Sequence, residues 1–389
     1  MQNAPVSGPL EGVTILDLSR VLAGPFATMT LAGLGARVIK VEVPGTGDDA
    51  RAIGPFQDGR SLYFEGINFN KESIALDLKD ETDRKTFEAL LAKADVLVEN
   101  FRPGVMDRLG LGWDELKERH PKLIYAAASG FGRSGPASDQ PAYDLIVQAM
   151  SGMMSITGER GGAPVRAGVS VGDLTAGTYL CLGILAALFR RASTCRGELV
   201  DVAMLDCQIA FMEEPLTSYA NTGVLPGPRG TRHPSIVPFQ AYRTKDSQLV
   251  IAAGNDQLFA KLAGALGKPE LPELEKFSSV RKRFEHVDEL ETVLEEALSE
   301  RTTDDWIAEL TAAGIPCGPI ATVDQVLENP QVRARNMIRQ TAPRQDGSRS
   351  TVIGNPIKFG SYPEQMEPLP APQLDQHRES ILAMLATQE

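Results

Sequence analysis

Buried strands alternate with helices over roughly the first half of the chain, and this alternation is the feature that most constrains the fold. The β-branched run at 13–18 predicts a buried strand, and residues 37–42 predict a second. Between them, Ala23-Gly24-Pro25 turns the chain into a helix, because proline is favoured at a first helical position. A strand, a helix and a second strand form a βαβ unit, so the two strands should be parallel.

The same pattern continues, with strands predicted at 73–78, 95–100, 123–128 and 199–204 and helices between them. It indicates an α/β fold: a doubly wound, Rossmann-like parallel sheet in a large domain at 1–220. Such sheets bind ligands at the carboxyl ends of their strands. A hairpin at 239–252 followed by helices predicts a smaller α+β domain at 225–325. We expect residues 330–389 to return to the large domain.

Composition limits the possible partners. The chain has 39 Lys and Arg against 51 Asp and Glu, a net charge of -12, which argues against nucleic acid and anionic membranes. The 4 cysteines lack CxxC spacing and the 4 histidines are far apart, so no metal site is predicted and reduced thiols are expected. Residues 1–5 do not resemble a signal peptide, and the apolar run at 180–189 is too short for a membrane span. We therefore expect a cytoplasmic protein.

Asp173 is the residue on which the functional interpretation depends. It follows Gly172 and precedes an apolar helix at 174–191. One interpretation is a helix N-cap, whose carboxylate accepts bonds from free backbone N–H groups. The other is a nucleophile, placed where glycine lets a large substrate approach the backbone. The same two possibilities, cap or chemical group, apply to Asp144, which follows Tyr143.

The residues at the ends of the predicted strands favour a phosphorylated ligand other than NAD. The turn after the first strand, at 18–24, lacks the GxGxxG sequence of a dinucleotide site. Basic residues recur at predicted loops after strands, where their side chains would meet phosphates. Asn100, Phe101 and Arg102 together provide an amide, an aromatic ring and a guanidinium at the end of a strand. Adenine and its phosphates would need such a set.

Ordered blocks over nearly the whole chain resemble the class III CoA-transferases, the family of formyl-CoA transferase and carnitine CoA-transferase. These blocks are residues 9–13, 22–25, 35–42, 70–74, 98–104, 130–132, 172–173 and 197–198. The resemblance implies an interlocked homodimer that uses a coenzyme A thioester as substrate and has no tightly bound cofactor. It also implies that Asp173 attacks the thioester, supported by Gly172, Tyr143 and Asp144, with backbone N–H groups near Gly172 stabilising oxyanions.

The CoA contacts implied by the resemblance are Leu22, Ala23, Leu76, Lys79, Asn100, Phe101, Arg102, Arg108 and Met204. Two positions depart from formyl-CoA transferase, which has Arg and Lys where this chain has Val43 and Pro141. Some phosphate contacts must therefore come from elsewhere.

Two alternatives stay open beside the transferase. A racemase branch acting on 2-methylacyl-CoA shares the fold, but it uses a histidine where this chain has Tyr143. The second alternative is a CoA-binding protein without enzymatic activity, and the intact Asp173 argues against it. Within the transferases, the stretches at 164–166, 230–240 and 253–256 resemble the succinyl-CoA:glutarate branch. That resemblance implies a small dicarboxylic acid as acceptor, whose distal carboxylate would meet Arg166, Arg232 or His233.

Overall fold

The computed structural model describes residues 8–362 and 367–386, so the expectation about a signal peptide at 1–5 lies outside the described residues. The strands are β1 (Thr14–Asp17), β2 (Arg37–Glu42), β3 (Phe56–Gln57), β4 (Arg60–Ser61), β5 (Lys71–Ala75), β6 (Val96–Glu99), β7 (Ile124–Ser129), β8 (Leu199–Ala203), β9 (Phe239–Arg243), β10 (Gln248–Ala252), β11 (Cys317–Pro319), β12 (Ile338–Gln340) and β13 (Thr351–Ile353).

The α-helices are α1 (Ala23–Ala32), α2 (Leu62–Asn68), α3 (Glu81–Leu91), α4 (Val105–Arg108), α5 (Trp113–Arg119), α6 (Asp144–Met150), α7 (Met153–Ile156), α8 (Val171–Thr194), α9 (Met204–Phe211), α10 (Glu213–Thr222), α11 (Asp256–Ala265), α12 (Val280–Glu285), α13 (Val287–Leu298), α14 (Thr303–Ala312), α15 (Val323–Glu328), α16 (Pro330–Ala334) and α17 (Arg378–Ala386). Short 3-10 helices span Asp49–Ala52, Leu271–Glu273 and Glu275–Phe277.

Six parallel strands form one sheet in the order β5-β2-β1-β6-β7-β8. Successive side chains point to opposite faces, and both faces are covered. Ile15 is buried on the face packed by α1 and α8, and Leu16 on the face packed by α3, α5 and α17. The predicted doubly wound α/β sheet is confirmed.

The strand order reverses at β1, which lies between β2 and β6. At such a point the connections leave to opposite sides, and a crevice opens beyond the carboxyl ends of the two central strands. Here that crevice is bordered by the loop after β1 and the segment after β6. Both carry residues of the predicted CoA site.

The chain divides into two units, which we describe separately. The first comprises Met1–Met153, Arg166–Val224 and Pro330–Glu389, and the second comprises Met154–Val165 and Leu225–Asn329. The short stretch Met154–Val165, which the sequence had placed in the large domain, belongs to the second unit.

The second unit is built on the antiparallel sheet β11-β10-β9. Helices α11, α13 and α14 cover it, and Leu249, Phe259 and Leu290 are fully buried in their shared core. The hairpin is formed by the predicted residues, with Leu249 opposite Tyr242. The predicted α+β character of this unit is confirmed.

Helix α8 is, by length and composition, apolar enough to cross a membrane. In the structure it packs on α1 and β7, and its residues Leu180 and Ile184 are fully buried in the core of the first unit. A helix buried on one side against a sheet is a normal core element of an α/β protein. The composition of α8 is therefore explained by its packing.

Candidate active site

Asp173 lies in the first turn of α8. The helix begins at Val171, with Ser170 at the N-cap position, so Asp173 is the third helical residue. Within residues 8–362 and 367–386, its carboxylate receives no backbone hydrogen bond and forms no ion pair. The helix-cap interpretation of Asp173 is wrong, because the helix starts two residues earlier. The carboxylate is left unbonded at the positive end of a long helix.

The surroundings of Asp173 disfavour its charged form. Burial and then the negative charge of Asp144 raise the pKa of Asp173 to about 7. A carboxylate in this range is ionised in a substantial fraction of molecules at neutral pH and is a stronger base than an ordinary aspartate. Strongly shifted groups of this kind concentrate at functional sites.

Asp144 joins α6 to the start of α8. It is the first residue of α6, and its Oδ1 accepts the backbone N–H of Gly172 at 2.8 Å. Its Oδ2 accepts from Gln148 Nε2 at 2.7 Å and lies 3.7 Å from Arg166 Nη2. Asp144 thus caps a helix other than its own.

This bond corrects one expectation about oxyanion stabilisation. The N–H of Gly172 already donates to Asp144, so it is not free for a reacting group. Within the described ranges, the backbone N–H of Asp173 itself has no acceptor.

Gly172 is required by close packing. A Cβ at this position would lie 3.0 Å from Oδ1 of Asp144 and 3.4 Å from Cε of Met204. Met204, at the start of α9, is therefore brought next to the segment that carries Asp173. Tyr143 precedes the buried Asp144, but its own side chain is 76% exposed.

Tyr63 is a neighbour that the sequence did not indicate. It is half-buried on α2, and its pKa is raised to about 12 by burial and by the charges of Asp173, Asp48 and Asp144. The phenol therefore lies within electrostatic reach of both carboxylates of the site. An aromatic residue in a short helix carries no local signal for such a role.

The loop from β1 to α1 is held by side chains from other elements. Asn100 accepts the backbone N–H of Arg20 at 2.7 Å and donates to its carbonyl at 2.8 Å. The Asn100 amide, predicted to bind CoA, is therefore committed to this loop. Next to Arg20, Val21 has a φ of +64°, a conformation that β-branched residues rarely adopt. The loop ends at Leu22 and Ala23, both largely buried.

A buried ion pair also holds this loop through bonds to its backbone. Asp48 Oδ1 accepts the N–H of Val21 at 3.0 Å, and its Oδ2 lies 2.8 Å from Lys40 Nζ. Lys40 also donates to the carbonyl of Ser19 at 2.7 Å. Burial raises the pKa of Asp48, but Lys40 and the backbone bonds outweigh burial and hold that pKa below its usual range. Sequence reasoning missed this pair, because charged residues usually lie at the surface.

The remaining predicted CoA residues differ in exposure. Leu76 is buried in the core of the first unit, so its backbone is what a ligand could meet. Phe101 is partly buried, and the Arg20 guanidinium lies 5.1 Å from the centre of its ring. Exposed cations follow the strand ends at Lys79, Arg102 and Arg108.

The three acceptor candidates are in different settings. Arg166 is about half exposed and lies beside Asp144 in the first unit. Arg232 belongs to the second unit, where it pairs with Asp288 at 2.6 Å and with Glu291. His233, in the same unit, accepts the backbone N–H groups of Ser235 and Ile236 at its Nδ1. Arg232 and His233 thus already order their own loop.

The CoA-transferase family III model matches residues 10–378. The chain belongs to CoA-transferase family III. It is 43% identical over 387 residues to acetyl-CoA:oxalate CoA-transferase from Acetobacter aceti, covering 99% of this chain and 98% of that protein. It is 41% identical over 376 residues to succinyl-CoA:glutarate CoA-transferase from Homo sapiens, covering 96% and 85% of the two chains.

A solved relative agrees with the architecture of this family III CoA-transferase. The crystal structure of a CaiB/BaiF family protein from Brucella suis superposes with a TM-score of 0.85 at 37% identity, covering 97% of this chain and 99% of that chain. The enzyme class inferred from the resemblance is confirmed: the protein is a CoA-transferase whose substrates include a CoA thioester and a carboxylate.

Proposed function

We propose that this family III CoA-transferase moves CoA from an acyl-CoA, preferably succinyl-CoA, to a small dicarboxylic acid, with Asp173 as the nucleophile. The observation that carries the proposal is the unbonded, partly buried Asp173 carboxylate with a pKa of about 7 at the start of α8. An ordinary exposed carboxylate is a weak nucleophile, and loss of hydration makes it more reactive.

The proposed exchange proceeds through covalent aspartyl intermediates. A carboxylate oxygen of Asp173 attacks the thioester carbonyl, a C–O bond forms, the C–S bond breaks, and CoA thiolate leaves a mixed anhydride. The thiolate then attacks the Asp173 carbonyl and expels the donor acid as its carboxylate. The acceptor carboxylate attacks the resulting aspartyl-CoA thioester, and CoA thiolate leaves a second anhydride. This thiolate then attacks the acceptor carbonyl of the second anhydride, which releases the new acyl-CoA and free Asp173.

Each attack develops negative charge on a carbonyl oxygen, and two features support its stabilisation. The backbone N–H of Asp173 is the amide at this helix start that has no acceptor in the described part of the chain. The N-terminus of α8 adds a favourable dipole. CoA itself would lie across the crevice beyond β1 and β6, near Leu22, Ala23, Phe101 and Met204, with its phosphates near the exposed cations.

The dicarboxylate acceptor is supported by two observations. The relatives described above are named for oxalate and glutarate, both dicarboxylic acids. In this chain, the Arg166 guanidinium lies 3.7 Å from Asp144 and is about half exposed, so it can still bind a carboxylate. Measuring CoA transfer to a series of mono- and dicarboxylic acids tests this part of the proposal.

We also propose a cytoplasmic homodimer, interlocked as the family resemblance implies. Large apolar side chains such as Phe189, Leu225 and Val323 are about four-fifths exposed in the isolated chain. The first unit also contains an apolar cavity of about 660 Å³. Surfaces of this kind usually meet another chain. All 4 cysteines are free thiols, which supports a reducing compartment.

Trapping the intermediate tests the mechanism. The enzyme is mixed with succinyl-CoA and then hydroxylamine, which converts an activated Asp173 to a hydroxamate that peptide mass spectrometry detects. We expect the adduct on Asp173, and a loss of exchange by at least about 10³-fold in Asp173→Asn. Full exchange by Asp173→Asn would overturn the nucleophile. Deuterium incorporation at the α-carbon of a 2-methylacyl-CoA, without an adduct, would instead support the racemase.

A further inference from the structure

Gln148 lies on α6 one turn after Asp144, and its side chain is fully buried. A buried amide is costly unless its polar atoms are bonded. Both ends of this amide have partners: Nε2 donates to Asp144 Oδ2 at 2.7 Å, and Oε1 accepts the backbone N–H of Ala167 at 2.9 Å. The same Nε2 lies 3.5 Å from the carbonyl oxygen of Val169.

These bonds reach the segment immediately before Asp173. Residues 166–170 are outside any helix or strand, and Arg166 is where the chain re-enters the first unit after residues 154–165 of the second. Ala167 and Val169 meet Gln148 directly, and Gly172 meets Asp144, which Gln148 holds. A single helix therefore holds this irregular segment at two points and the first turn of α8 at a third.

We infer that Gln148 is a positioning residue for the Asp173 nucleophile, acting through Asp144 and the segment at 166–172. This inference rests on the proposed role of Asp173. Gln148 itself does not touch the reacting atoms. Its side chain fixes where α8 starts, and the start of α8 sets the direction in which the Asp173 carboxylate points.

The chemistry of the amide also determines the role of Asp144. The Nε2 group and the Gly172 N–H can only donate, so both Asp144 oxygens act as acceptors in these two bonds. In this arrangement Asp144 offers no proton to Asp173 and presents negative charge to it. The charge of Asp144 is one of the two causes of the raised pKa of Asp173.

The test uses Gln148→Met, which keeps an unbranched side chain of similar length and removes both bonds. The rate at which Asp173 is acylated in a single turnover, followed as the hydroxylamine-trapped adduct, should fall about 10- to 100-fold. The dissociation constant for CoA should change less than about 2-fold, because Gln148 lies outside the expected CoA contacts. Ser151→Ala is the matched control, a buried residue of the same region whose hydroxyl donates to the carbonyl of Gln148, and it should acylate at the wild-type rate.

Gln148→Glu provides a second test if the methionine variant does not fold. It keeps an acceptor for Ala167, and because two buried carboxyl groups this close share one proton, the introduced group still bonds to Asp144. The acylation rate should therefore stay near the wild-type value around neutral pH and fall at high pH, where the shared proton is lost and the two carboxylates repel each other.

The positioning role would be overturned if Gln148→Met acylated Asp173 at the wild-type rate. It would also be overturned if the loss of rate were fully explained by a smaller folded fraction or by weaker CoA binding. An acylation rate in Gln148→Glu that does not fall at high pH would do the same. A wild-type enzyme without an adduct on Asp173 would instead remove the proposed mechanism, and the positioning role with it. An adduct in the wild type with unaffected variants removes only the role of Gln148.

Discussion

Asp173 and Asp144 are two carboxylates of one site with different hydrogen-bond surroundings. Asp144 accepts from Gly172, Gln148 and, at longer range, Arg166, whereas Asp173 accepts from none of the described residues. Bonds to a charged carboxylate stabilise its charge, and burial without bonds does the opposite. At the scale of the residue, this difference supports the proposed roles of Asp144 as a supporting carboxylate and Asp173 as the reactive one.

Asp144→Asn should lower the pH at which the enzyme becomes active. The Asn carbonyl can still accept the Gly172 N–H, while its amide nitrogen replaces the oxygen that accepts from Gln148, so the maximal rate should also fall. The charge that helps to raise the pKa of Asp173 is gone. In the proposed mechanism Asp173 reacts in its ionised form, so kcat/KM should fall at low pH as Asp173 is protonated. This fall lies near pH 7 in the wild type and should occur about one pH unit lower in the variant. Burial remains, so the fall should not move to the pH expected of an exposed aspartate.

The pH dependence of kcat/KM from about pH 5 to pH 9 measures this shift. Asp139→Asn is the control, since Asp139 is an exposed acid in the loop before α6. A fall of kcat/KM that stays at the wild-type pH in Asp144→Asn would show that the two carboxylates do not interact.

At the scale of the element, the loop between β1 and α1 depends on bonds from three other segments. Lys40 on β2, Asp48 before a 3-10 helix and Asn100 after β6 hold the backbone of residues 19–21. These bonds keep Val21 in its left-handed conformation, which costs free energy for a β-branched residue. Backbone strain of this kind persists where the surrounding structure over-determines it.

Two substitutions at Asp48 separate the charge from the backbone bond. Both Asp48→Asn and Asp48→Ala remove the carboxylate that pairs with the buried Lys40, which keeps its bond to Ser19 and the nearby charge of Asp17, and should lower the free energy of unfolding by about 3 kcal/mol. Asn can still accept the N–H of Val21, whereas Ala cannot. We therefore expect KM for the acyl-CoA to rise roughly 10-fold in Asp48→Ala and to stay near the wild-type value in Asp48→Asn.

Urea denaturation and steady-state kinetics on the folded variants measure the two effects. Equal KM values in the two variants would show that the bond to Val21 does not shape the CoA site.

At the scale of the whole molecule, the exposed apolar side chains predict a second copy of the chain. Phe189 is on helix α8, far from its start, and its side chain is 85% exposed. We expect the enzyme to elute with twice the chain mass of 41.9 kDa. Phe189→Asp should raise the fraction of single chains after refolding from denaturant, because interlocked chains separate only by unfolding and a buried unpaired charge opposes their reassembly.

Size-exclusion chromatography with light scattering measures this mass at several protein concentrations. Ser193→Asp, one turn further along the same exposed helix, is the control and should leave the mass unchanged. A single-chain mass for the wild-type enzyme at all concentrations contradicts the dimer.

The sequence by itself determined the order and type of the elements and the position of Asp173. The parallel strands and the hairpin at 239–252 followed from local periodicity, because burial imposes a repeat that neighbouring residues display. The family blocks around Gly172 and Asp173 predicted which carboxylate is reactive. The start of α8 was misplaced by a few residues, and this error alone produced the incorrect cap interpretation.

Only the tertiary structure decided which side chains meet. The bonds from Asp144 to Gly172, from Asn100 to Arg20 and from Asp48 to Val21 each join segments far apart along the chain. No local pattern encodes such pairs, because the fold brings the partners together after each has been placed by its own element. The buried pair of Lys40 and Asp48 and the amide of Gln148 are ordinary polar residues in the printed sequence. Their burial and their bonds to the segments around Asp173 and Val21 are visible only in the folded chain.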